Sequence, residues 1–121
     1  MKTVTIAILS IALSVAAQFC LKAGMSSAAM KVISAEPLTL RTAFSVLTDE
    51  FVLGGFLLYG LGAIVWLGVL SKWDVSKAYP LVGLGFVFTV TIGYMVGENI
   101  TLPRAIGVAL ICAGVFLVAR S

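Results

Sequence analysis

Ser10, Ser14, Gln18 and Lys22 follow one another at intervals of four residues. On a helix this spacing draws one slowly winding stripe, and residues 3–21 around it carry no charge. Polar side chains on an apolar helix usually face a wet cavity or another helix. Two readings stand at this point: the stripe lines a polar route, or the serines permit close helix packing and Gln18 bonds across it. Lys22, at the stripe's end, is either an interface anchor or a partner for an anionic headgroup. Thr91, Tyr94 and Glu98 share a second face, at spacings of three and four. Tyr59 and Trp66 share a third, with Trp66 expected to pack; Trp73 is expected in an interfacial aromatic belt.

What the apolar runs lack narrows the chemistry further. Glu36, Asp49, Glu50, Asp74 and Glu98 all lie at run ends or between runs. A proton-coupled antiporter usually needs an ionisable group buried in its pathway. No catalytic acid–base pair and no nucleophile beside a base can be assembled, so a non-enzymatic protein is expected. With no His, and with Cys20 and Cys112 both inside apolar runs, neither a metal site nor a disulfide framework is expected, and no cofactor. A net charge of +3 spread along the chain forms no basic patch for nucleic acid.

The elements that must position these residues follow from composition. Of 121 residues, 61% are hydrophobic and 11% charged, against about 25% charged in an ordinary soluble domain. Such a chain needs lipid as its solvent. A crossing helix takes about 20 apolar residues, and four runs qualify, at about 3–22, 51–70, 78–97 and 102–119. The last is extended by the residues before it and by the snorkelling stem of Arg104. Backbone groups in lipid must be satisfied internally, so these runs are helices. The fold expected is an all-α membrane protein, a single four-helix transmembrane domain. Between the first two runs, Leu40, Phe44, Leu47 and Phe51 recur at helical spacing opposite Arg41, Thr42 and Ser45. This predicts an interfacial segment over about 38–48, or an early start to the second span. The start of the chain has signal-peptide character, but its apolar run is longer than usual and is expected to be retained as a helix.

Lys2, Lys72, Lys77 and Arg120 gather on one side of this arrangement, and Lys22, Lys31, Arg41 and Arg104 on the other. That balance gives no positive-inside bias. Both a single orientation and antiparallel pairing of two copies are compatible with it. Pro80 in the third run precedes Gly83-Leu84-Gly85, which suggests a bend or close contact. Gly93 and Gly97 form a GxxxG pair suited to helix approach. Gly107 and Gly114 lie two turns apart on one face of the fourth run and suit either a dimer contact or packing within the chain.

These features carry a family resemblance. Four short helices, the Gly83-Leu84-Gly85 element and the stretch Ile106-Gly107-Val108-Ala109-Leu110-Ile111-Cys112-Ala113-Gly114-Val115 resemble the drug/metabolite transporter superfamily. Among its small members, the small multidrug resistance proteins place an essential Glu in the first helix where this chain has Ser14. That departure argues against proton-coupled cation export. The aminoarabinose-phosphoundecaprenol flippase subunits are more similar at Leu13-Ser14-Val15-Ala16-Ala17-Gln18-Phe19-Cys20, at Ser76-Lys77-Ala78-Tyr79-Pro80-Leu81 and at Gly97-Glu98.

The resemblance implies a multi-pass protein of the bacterial inner membrane that moves an undecaprenyl-phosphate-linked sugar. It also implies a dimer, with itself or with a similar four-helix chain, paired through Gly107 and Gly114. On this reading Ser10, Ser14 and Gln18 line the route, and Lys22 attracts the phosphate. Tyr59, Tyr79, Tyr94 and Glu98 complete the candidate site by meeting the sugar or gating the mouth. Membrane lipids hold the polyprenyl tail. The alternative is a secondary transporter for small organic cations or polar metabolites, with Glu98 as its best acid. A non-transporting accessory subunit is the third reading.

Overall fold

The computed structural model describes residues 2–121. Four helical runs among them are long and apolar enough to cross a membrane. The first is α1 (Lys2–Met25), whose 24 residues reach about 36 Å at 1.5 Å per residue, against about 30 Å of bilayer hydrocarbon. Two short helices follow, α2 (Ala28–Ser34) and α3 (Leu40–Leu47), and then the second crossing helix, α4 (Glu50–Leu70). The third crossing run is composite. It opens with α5 (Val75–Ala78), tightens into a 3-10 stretch over Tyr79–Leu84 and continues as α6 (Gly85–Met95). The fourth is α7 (Leu102–Arg120).

Side chains close the helix ends that sit near the bilayer surface. The Asp49 carboxylate accepts from the Phe51 and Val52 amides at 3.1 and 3.2 Å, which caps α4 and places a negative charge at its positive end. Ser27 caps α2 by accepting from the Met30 amide. Thr39 and Thr42 form a reciprocal capping box on α3. At the start of α7, Thr101 accepts from the Arg104 amide and Pro103 occupies the first turn. α2 was not anticipated from the sequence. Its seven residues are too few to show a persistent period, and its local signal is the Ser27 cap.

α1 and α4 form the tightest pair. Small residues let the two backbones approach: a methyl group on Gly62 would lie 3.3 Å from the Ser10 carbonyl oxygen, and one on Gly55 3.1 Å from that of Ala17. At this closeness Ser10, 3% exposed, donates its hydroxyl proton to the Gly62 carbonyl at 2.7 Å. In lipid, where apolar surfaces gain nothing by leaving the solvent, such close packing and interhelical hydrogen bonding hold helices together. The buried core gathers away from α2 and α3, where Ala7, Ile11 and Val15 of α1 meet Val69, Ala78, Leu81 and Val115. α7 leans on the 3-10 stretch, with Val115 its one buried residue. A methyl group on Gly83 would meet the Ile111 and Val115 side chains at 2.9 and 3.1 Å.

The expected GxxxG contact at Gly93 and Gly97 is not what the structure contains. Gly97 adopts φ +97°, a left-handed conformation open to glycine, and terminates α6. The Glu98 amide then donates to the Gly93 carbonyl at 2.8 Å and the Gly97 amide to that of Tyr94 at 3.2 Å. This is the double bond pattern of a Schellman cap. The Glu98 carboxylate folds back over Gly93, so close that a methyl group there would sit 3.0 Å from Oε1. Gly93 is buried, and the nearest atoms to a methyl group there would be those of its own chain's Glu98 carboxylate.

Candidate functional site: an uncharged cavity on α1

A cavity of about 490 Å³ lies between α4 and the third crossing run, with α1 as its floor. α1 contributes Ser10, Ile11, Ser14, Val15 and Gln18; α4 contributes Tyr59, Gly62, Ala63 and Trp66. The third run contributes Tyr79, Val82, Gly85, Phe86 and Thr89. α1 can be the floor because its small residues draw α4 in on one side. On the other, Gly85 admits Ile11 and Val15, at 3.2 and 3.4 Å from where its methyl group would be.

Five of the sequence-predicted residues, Ser10, Ser14, Gln18, Tyr59 and Tyr79, therefore meet in one place. The Gln18 amide donates across the helix pair to the Tyr59 hydroxyl. The Ser14 hydroxyl donates to the Ser10 carbonyl at 3.1 Å. Ser10 cements the helix pair and also borders the cavity. One amide N–H of Gln18 is engaged, which leaves its second N–H and its carbonyl oxygen for a ligand. Four aromatic rings, those of Tyr59, Trp66, Tyr79 and Phe86, stand around these polar groups. No Asp, Glu, Lys or Arg lines the cavity.

The remaining predicted residues lie elsewhere. Lys22 is exposed near the end of α1, one turn beyond Gln18 and outside the cavity lining. Tyr94 is 72% exposed. Glu98 is held at the Schellman turn over Gly93, away from the cavity. Gly107 and Gly114 have no heavy atom within 4 Å of an added methyl group, so neither serves packing within the chain. Sequence reasoning missed Thr89 and Phe86; Trp66, expected to pack, does pack against the buried core and also borders the cavity. Thr89 bonds its own helix, donating to the Gly85 carbonyl at 2.8 Å. The one signal for it is its four-residue spacing from Gly85. Trp73, just beyond α4, packs against the buried core, with the Lys77 ammonium 4.6 Å from its ring centroid.

The fold and this cavity define a class: a four-span helical membrane protein with an uncharged, aromatic-walled polar site at mid-helix. The comparisons with known proteins narrow it. Over 115 residues the chain is 34% identical to a probable 4-amino-4-deoxy-L-arabinose-phosphoundecaprenol flippase subunit, ArnF, of Sodalis glossinidius, covering 93% of this chain and 86% of the relative. It is 45% identical over 62 residues to the corresponding ArnE subunit of Pseudomonas savastanoi pv. phaseolicola, covering 50% of this chain and 54% of that one. An uncharacterised protein of Sinorhizobium fredii is 39% identical over 80 residues, 64% of this chain and 68% of that one. The chain spans about half the length of the ArnE relatives it matches. No protein-family model matches the chain, and no solved structure does. The chain belongs to the family of aminoarabinose-phosphoundecaprenol flippase subunits. It is a multi-pass protein of the bacterial inner membrane.

Proposed function

We propose that the chain is one subunit of a flippase that carries the head of an undecaprenyl-phosphate-linked sugar across the bilayer without proton coupling. The observation that carries this reading is the cavity itself: its polar groups are hydroxyls and an amide, and none of its lining residues is charged. Hydroxyls and an amide suit the many donors and acceptors of a sugar. Aromatic rings offer flat apolar faces beside them. The polyprenyl tail stays in lipid, since removing it from an apolar solvent gains nothing. Lys22, a turn beyond Gln18 at the membrane surface, attracts the carrier's phosphate before the head enters.

The relatives are named as subunits, which supports a working unit of two four-helix chains. Gly107 and Gly114, open on α7, form the contact in this proposal; whether the second chain is a copy or a similar sequence is left to the measurement. The cation-exporter reading would need a carboxylate in the route, and Glu98 stands outside it, so the flippase reading is preferred.

The test is reconstitution into liposomes with a lipid-linked aminosugar, scored by access of a membrane-impermeant reagent to the head on each side. The wild-type assembly is expected to equilibrate the lipid, and Gln18→Leu to slow it at least tenfold. Equal rates for the two would remove Gln18 and this cavity from the route. Native mass spectrometry of the gently released protein, expected to carry a polyprenyl-phosphate sugar, checks the ligand independently.

A further inference from the structure

α3 is amphipathic with its apolar side turned outward. Leu40, Phe44 and Leu47 are 92%, 69% and 48% exposed. Thr42, on the opposite side of the helix, is buried and bonds the Pro37 carbonyl at 3.0 Å and the Thr39 backbone and hydroxyl. In water the order would be reversed. The stripe also runs on into a membrane span. Phe51, four residues after Leu47 and in the first turn of α4, is 52% exposed on a helix long and apolar enough to cross the bilayer. Thr48 and Asp49 alone separate the two helices, so α3 is held at the level where α4 enters the lipid. Lys31 and Arg41 on this segment are offset by Glu36 and Asp49, so its attachment to a surface rests on apolar burial.

We propose that α3 lies in the plane of the bilayer at the boundary between headgroups and acyl chains, with Leu40, Phe44 and Leu47 immersed in lipid. The occupant of its outward face is the membrane, because that face is continuous with the exposed apolar face of a helix long and apolar enough to cross the bilayer. Arg41 and Ser45, further round the helix, stay at the aqueous side. α3 thereby fixes the height of the α1–α4 pair, since α2 and α3 bridge the ends of those two helices. This inference is independent of what the cavity transports.

The test uses the full chain in phosphatidylcholine nanodiscs. Cys20 and Cys112, both free thiols, are replaced by Ala, and single spin labels are placed through L40C, R41C, F44C, S45C and L47C. The ratio of oxygen to nickel-chelate accessibility is expected to be severalfold higher at 40, 44 and 47 than at 41 and 45, oscillating with a period of about 3.6 residues. Uniformly low ratios at all five sites would place the stripe in water and overturn the proposal. Labels at 40, 44 and 47 shielded from both reagents would overturn it too, by showing that a second protein surface covers the face. The labels at 41 and 45 act as controls for folding within the same helix.

Discussion

Ser10 and Gln18 sit two turns apart on the same helix and join α1 to α4 through different partners, a backbone carbonyl and a phenol. Their substitution separates packing from recognition. Ser10→Ala deletes one interhelical hydrogen bond and is expected to lower stability in detergent by about 0.6 kcal/mol, the average for such bonds in membrane proteins, as read by denaturant unfolding. Gln18→Leu and Tyr59→Phe are expected to reduce flipping far more than stability. In a double-mutant cycle on the transport rate the pair should be non-additive, because each deletion already breaks the same bond. The polar stripe on α1 was legible in the sequence because hydroxyl and amide groups stand out against an uncharged apolar run. Glu98 lies outside the cavity because helical spacing does not extend past Gly97. That residue's positive φ ends the helix and swings Glu98 back over Gly93. Glu98→Gln is accordingly expected to leave transport unchanged.

At the scale of elements, four apolar runs gave four crossing helices, since backbone satisfaction in lipid leaves the chain no other solution. Their packing order was less legible. Hydropathy records that a residue tolerates lipid without recording which face meets lipid and which a neighbour. The glycines supplied what hydropathy lacked, as at Gly83-Leu84-Gly85, where a 3-10 stretch passes into α6 and Gly83 admits α7 on one side while Gly85 admits α1 on the other. Close approach makes such positions intolerant of size. Gly62→Val would drive side-chain carbons toward the Ser10 carbonyl and is expected to cost about 1–3 kcal/mol, the usual penalty of overpacking. A loss of folded protein in thermal scans would register it. Gly54→Val, on the same helix with open space around it, should be tolerated and serves as the control.

For the molecule as a whole, charge is confined to the ends of the spans and the segments between them, and excluded from the cavity. With no Asp, Glu, Lys or Arg lining the cavity, flipping is expected to be insensitive to an imposed pH gradient. A rate that follows the gradient would count against the uncoupled route. Gly107→Leu with Gly114→Leu should leave the single chain folded, because both side chains enter open space, while abolishing pairing in light scattering. The proposed pairing is the feature least legible from one sequence, since an interface with a second chain and a face bathed in lipid share the same apolar composition. The uneven packing has a further consequence, for biogenesis. α1 and α4 precede the other crossing helices in the chain, carry their own interhelical bond and can close as a hairpin while synthesis continues. α7 follows them and has one buried residue. Of the crossing helices α7 is thus the one least held by its own chain, and the first that a membrane protease would find detached.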